Sequence, residues 1–146
     1  MELVKERVDI IGGGLNMIDI QTKYAELFKH SCYAFCLCYV FSNTTNEWKW
    51  LEYISKGVQN GYITEDCFVQ KPLEFIEMLC GTKYKDVEKP SIHKIDDIKE
   101  LTIVEYTYNS KSHFVVVKDG NVVFDPSGYS MSVKYGIPFT YRKFIK

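Results

Sequence analysis

The chain has 146 residues, 46% of them hydrophobic and 25% charged, with a formal net charge of -1. That is enough for one domain, residues 1–146, with a core that needs no staples, and lysines dispersed over a near-neutral chain offer no basic field for nucleic acid. Five cysteines in a chain whose start, Met1 to Arg7, carries charges and no long apolar run read as free thiols in a reducing compartment, so a cytoplasmic protein with no membrane association is expected.

Residues 1 to 15 begin polar and reach Gly12-Gly13-Gly14, a triplet without the flanking pattern of a phosphate loop. Ile20, Tyr24, Leu27 and Phe28 recur at helical spacing, so a short helix or turn over 18–28 delivers the chain to Lys29-His30-Ser31. Then comes Cys32-Tyr33-Ala34-Phe35-Cys36-Leu37-Cys38, with almost no polar residue before Ser42. It reads as a helix buried nearly all round, Ser31 as its N-cap and Cys32 in its first turn. Unpartnered N–H groups and the positive end of the dipole favour a thiolate there, so Cys32 is the expected reactive cysteine. Cys36 and Cys38 read as small hydrophobes. His30, Cys32, Cys36 and Cys38 are close in sequence, but Cys38 points away from the Cys32/Cys36 face and no paired-knuckle spacing exists, so no metal and no other cofactor is expected.

After a polar loop over 42–46, Trp48, Leu51, Ile54 and Val58 predict a second helix ending at Asn60-Gly61. Lys71-Pro72 opens a third, with Phe75, Ile76 and Leu79 inward and Gly81 at the exit. Cys80 sits at the dipole's negative end and reads as structural. Residues 83–99 read as a linking strand and loop. From Leu101 the texture changes to β-branched and aromatic runs, 102–108, 114–117 and 122–124, broken by turn residues. Asp119-Gly120 supplies a hairpin turn, and one or two edge strands follow Tyr129, with Pro138 barring central pairing. Helices first and antiparallel sheet second predict an α+β domain.

The hairpin brings His113, which opens one strand, near Asp125, which ends the next. Whether they share a face depends on register. A regular two-residue turn sets Lys118 opposite Asn121 and Phe114 opposite Asp125, leaving His113 on the other side. A three-residue loop, a bulge or a bend at Pro126 puts Asp125 on the His113 face, and one of these is expected. Cysteine, histidine and carboxylate are then available for nucleophilic acyl chemistry, with one role each: attack, proton transfer and orientation. His93 and His30 are reserve bases.

Ser31-Cys32-Tyr33-Ala34-Phe35 resembles the Ser-Cys-Trp-Ala-Phe sequence around the nucleophile of papain-like cysteine peptidases. His113-Phe114-Val115-Val116-Val117 with Asp125-Pro126 resembles the histidine strand and aspartate of bacteriocin-processing and transglutaminase-like members of that superfamily, and of a small uncharacterised bacterial and phage group within it. The resemblance implies a papain-like fold with the cysteine helix packed on a C-terminal antiparallel sheet. It also implies Cys32 as nucleophile, His113 as base and acid, Asp125 as orienter, and a peptide or protein substrate cleaved at a peptide, isopeptide or related amide bond. Papain-like enzymes carry a glutamine shortly before the cysteine to bind the oxyanion; Glu26 stands there, and Gln21 is the nearest glutamine and the candidate donor. Asp66-Cys67 resembles the Asp-Cys start of the cell-wall amidase branch, which makes Cys67 a rival nucleophile. A catalytically degenerate peptide-binding domain and a transglutaminase-like acyltransferase are the alternative functions. Oligomeric state and exact substrate are beyond what the sequence specifies.

Overall fold

The computed structural model describes residues 31–128 and 131–146. The glycine triplet, the helix or turn expected over 18–28, Gln21, Glu26 and His30 lie outside the described residues.

Helix α1 spans Cys32–Phe41, and Ala34 through Cys38 are 0% exposed, so this short element is enclosed on every side. Helix α2 spans Glu47–Gln59; the Asn46 side chain caps it by accepting from the Lys49 N–H at 3.1 Å. Its Trp50 indole N–H donates to Ser42 Oγ and the Thr44 carbonyl, tying the α1–α2 loop to the helix below it. Helix α3 spans Pro72–Cys80, entered by proline and left through Gly81 at φ 80°, as the sequence indicates.

Ser31 departs from expectation. It precedes the helix in a right-handed helical conformation, φ -83° and ψ -11°, and makes no side-chain capping bond. Capping requires extended backbone at that position so that the hydroxyl can turn back onto the next N–H groups. The first turn starts from the Ser31 carbonyl instead, which accepts from Phe35 N–H at 3.0 Å. The buried Ser31 hydroxyl has no hydrogen-bond partner among the described residues.

The rest is mainly sheet: β1 Asp86–Glu88, β2 Thr102–Tyr108, β3 Lys111–Lys118, β4 Asn121–Phe124, the short helix α4 Met131–Tyr135, β5 Ile137–Tyr141 and β6 Lys143–Ile145. Four strands form an antiparallel sheet in the order β4-β3-β2-β5, and β1 pairs with β6 in a separate ribbon. The architecture is α+β. Pro138 lies on β5, at the sheet edge, where a missing N–H is tolerated.

Alternation along the strands feeds two cores. Ile103 and Val116 join α1, Trp50 and Phe75 on one face. Val104, Tyr106, Val115 and Val117 meet Ile95, Ile98 and Val133 of α4 on the other. The sheet is therefore covered on both sides at its centre, and the cysteine helix packs on one of them.

The β3–β4 hairpin takes one of the three expected forms, the bulge. Lys118 pairs with Asn121, so the loop is the two-residue turn Asp119-Gly120 and not a three-residue one. Both residues have positive φ, 51° and 74°, the type I′ geometry that matches strand twist. Beyond the turn Val117 pairs with Val122 but Val116 with Phe124, so Val123 is a bulge residue and the register shifts by one. The shift returns Asp125 to the face of His113.

Candidate active site

Three elements meet where β4 stops pairing with β3. Helix α1 presents Cys32 in its first turn, β3 carries His113 just beyond the last β3–β4 pair, and Asp125 immediately follows β4. His113 Nε2 and Asp125 Oδ1 are 2.7 Å apart, with side chains only 11% and 6% exposed. The Cys32 side chain is close enough to the imidazole to raise its pKa. With Nε2 engaged by the carboxylate, Nδ1 is the ring nitrogen left for sulfur.

The carboxylate is itself held. Ser127 N–H donates to Asp125 Oδ1 at 2.9 Å, and Gly128 N–H donates to the Asp125 carbonyl at 2.8 Å. The Asp-Pro-Ser-Gly turn thus aims the side chain instead of merely ending the strand.

Electrostatics follow from this packing. Burial works against a charged His113, but the hydrogen-bonded Asp125 carboxylate and the adjacent Cys32 outweigh it and push its pKa up to about 9. The imidazole is therefore held as imidazolium at neutral pH, close to the sulfur and the carboxylate. Cys36, one turn along the same face of α1, is pushed the other way in reactivity: burial, then the nearby Cys32 and Asp125 charges, raise it well above the usual thiol range. It stays a neutral thiol. Cys38 is likewise raised by burial. Cys67, the rival nucleophile, is buried, and burial with the Asp66 charge pushes it up to about 11. A thiol so protonated is a poor nucleophile at neutral pH. His93 sits exposed on the loop between β1 and β2.

Cys32 opens onto a cleft of about 580 Å³ whose walls include Tyr33, Phe68, Gln70, Phe114 and Arg142. Cys32, Tyr33 and Ala34 have backbone N–H groups that helix geometry leaves without intrahelical partners, so the first turn can present donors to a developing oxyanion. Among the described residues no group of three or more His, Cys, Asp or Glu side chains is arranged to hold a metal ion.

Sequence reasoning did not anticipate Tyr33, Glu105, Phe114 and Arg142 as site residues. Tyr33 directly follows Cys32 and Phe114 directly follows His113, and their rings lie 4.7 Å apart between centroids. That adjacency was the available signal, because whatever holds two catalytic side chains in place also positions their chain neighbours. Arg142 lies far along the chain from both and had no such signal.

A family model described as a protein of unknown function, DUF261, matches residues 17–144. No curated protein and no solved structure matches the chain.

Proposed function

The chain belongs to the DUF261 family, and from the geometry of its site we propose that it is a papain-like thiol hydrolase, cleaving a peptide, isopeptide or related amide bond through an acyl-enzyme on Cys32. The observation that carries this reading is the His113 imidazole hydrogen-bonded to Asp125 at 2.7 Å and electrostatically coupled to Cys32 in the first turn of a helix.

In the proposed reaction the proton of the Cys32 thiol resides on His113, and the thiolate attacks the substrate carbonyl carbon. The C–S bond forms as the carbonyl π pair moves to oxygen, toward the first-turn N–H groups of α1. Collapse breaks the C–N bond, and His113 delivers its proton to the leaving amine. In the second half the imidazole takes a proton from water, hydroxide attacks the thioester, and the carboxylic acid leaves with Cys32 restored. Asp125 holds the ring and favours its protonated form throughout. The substrate is a peptide or protein in the cytoplasm, and the chemistry calls for neither metal nor organic cofactor.

The test is hydrolysis of a mixed peptide library followed by mass spectrometry. Wild-type protein should cleave, and Cys32→Ala and His113→Ala, each folded by circular dichroism, should not. Cleavage that survives either substitution overturns the proposal.

A further inference from the structure

Arg142, between β5 and β6, lines the cleft beside Cys32 yet is only 8% exposed on its side chain. Its guanidinium lies 4.9 Å from the Phe114 ring centroid and 5.7 Å from that of Tyr33. The chain neighbours of His113 and of Cys32 thus hold it between them. One nitrogen, Nη1, donates to Thr140 Oγ1 at 2.8 Å. Among the described residues that bond leaves part of its five-donor fork without a hydrogen-bond acceptor.

The counter-charge is incomplete. Among the described residues the carboxylate oxygen paired with it, Glu105 Oε1, is 3.7 Å away, longer than a hydrogen bond. Both Glu105 oxygens already accept from hydroxyls, Oε1 from Thr140 and Oε2 from Ser112, each at 2.7 Å. Lys89 adds a second cation to the same cleft. Among the described residues the cleft therefore carries two cations against one carboxylate, each of whose oxygens already accepts from a hydroxyl. A rigid, poorly hydrated guanidinium with free donors is suited to bidentate capture of a planar anion.

We propose that Arg142 selects a substrate carrying a carboxylate next to the scissile bond, either an acidic side chain or a chain-terminal carboxylate. The proposal rests on the thiol-hydrolase reading, since it takes Cys32 as the reacting atom. Arg142 is then the specificity-determining residue of the cleft.

Chloroacetyl labels test it, because Cys32 sulfur displaces chloride and the rest of the label occupies the cleft. Three probes are compared: N-chloroacetyl-glutamic acid α-amide, with a side-chain carboxylate; N-chloroacetyl-glycine, with a terminal one; and N-chloroacetyl-glutamine α-amide, the neutral isostere. Alkylation of Cys32 is read by peptide mass spectrometry. At least one carboxylate probe should react about tenfold faster than the neutral probe, a difference of about 1.4 kcal/mol, and which one does so identifies the source of the carboxylate. In Arg142→Gln the ratio should fall to near one. Attraction of the probes to the His113 imidazolium is common to both proteins and cancels in this comparison. Should Arg142→Gln strand the Glu105 charge and fail to fold, the double variant Arg142→Gln/Glu105→Gln removes both charges together.

Equal rates for carboxylate and neutral probes in wild type, or a preference that survives loss of Arg142, overturn the inference. Failure of the hydrolase reading looks different: Cys32 is then labelled at the same rate with or without His113, whichever probe is used.

Discussion

His113 Nε2 and Asp125 Oδ1 lie 2.7 Å apart because one bulge residue, Val123, offsets a two-residue turn. With regular pairing from the Asp119-Gly120 turn, Phe114 would stand opposite Asp125 and the two side chains would lie on opposite faces of the sheet.

Deleting Val123 should therefore restore the regular ladder and separate the pair. The expected outcome is a folded protein with little loss of far-ultraviolet circular dichroism but a Cys32 alkylation rate lowered to that of His113→Ala. Retention of the wild-type rate would show that the bend at Pro126, not the bulge, sets the position of Asp125.

Cys32 and Cys80 provide an internal comparison, since Cys80 is exposed and the other three cysteines are buried. Iodoacetamide at neutral pH should modify Cys32 well ahead of Cys80 despite its lower exposure. His113→Ala should reverse that order and reduce any amide hydrolysis by about 10²-fold or more, the usual worth of a positioned acid–base group. Site-resolved mass spectrometry gives both rates in one sample.

The pH dependence of stability follows from the raised pKa of His113, about 9 in the folded protein against an ordinary 6.5. Because the folded state binds this proton more tightly than the unfolded chain, the contribution is complete below about pH 6.5 and is lost as pH rises through about 9. Its size is on the order of 3 kcal/mol at most. Urea midpoints measured from pH 6 to 10 should fall more steeply for wild type than for Asp125→Asn, which removes the charge that holds the proton. Activity should show an alkaline limb near pH 9 that moves to lower pH in Asp125→Asn. Parallel curves for the two proteins would contradict the assigned partnership.

Gly57 of α2 supplies a stability prediction away from the site. A Cβ placed there would stand 2.8 Å from Ile63 Cδ1 and 3.1 Å from Phe75 Cδ1. Both neighbours belong to the larger core, where Ile63 is 2% and Phe75 0% exposed. Alanine at a helical glycine usually stabilises, but here overpacking should win, with Gly57→Ala destabilising by about 1–3 kcal/mol. Thermal unfolding measures it, and the paired variant Gly57→Ala/Ile63→Val should recover part of the loss.

Local sequence determined the parts of this protein that depend on local physics. Ala34 to Cys38 form a helix enclosed on all sides because they are apolar all round, and Pro72 and Gly81 delimit α3 because each has the backbone preference its end requires. The alternating, β-branched runs from Thr102 onward became strands, and Pro138 went to an edge. Cys32 and Asp125 were legible as candidates for the same reason, each standing at the end of an element, whereas His113, read as opening its strand, lies inside β3, which begins at Lys111.

Tertiary structure decided what two distant elements do to each other. Val122-Val123-Phe124 reads as an unbroken strand, and nothing within those three residues signals that Val123 is skipped in the pairing; the bulge sets Phe124 opposite Val116, and both join the core around α1. Ser31 has a capping residue's chemistry but a helical backbone, and its side chain makes no capping bond. Arg142 reaches the cleft only because β2 pairs with β5 and the rings of Tyr33 and Phe114 converge on the guanidinium. Side-chain preference acts over a few residues of chain, whereas a cleft and its charges arise where residues far apart in sequence are forced together by burial of the surfaces between them.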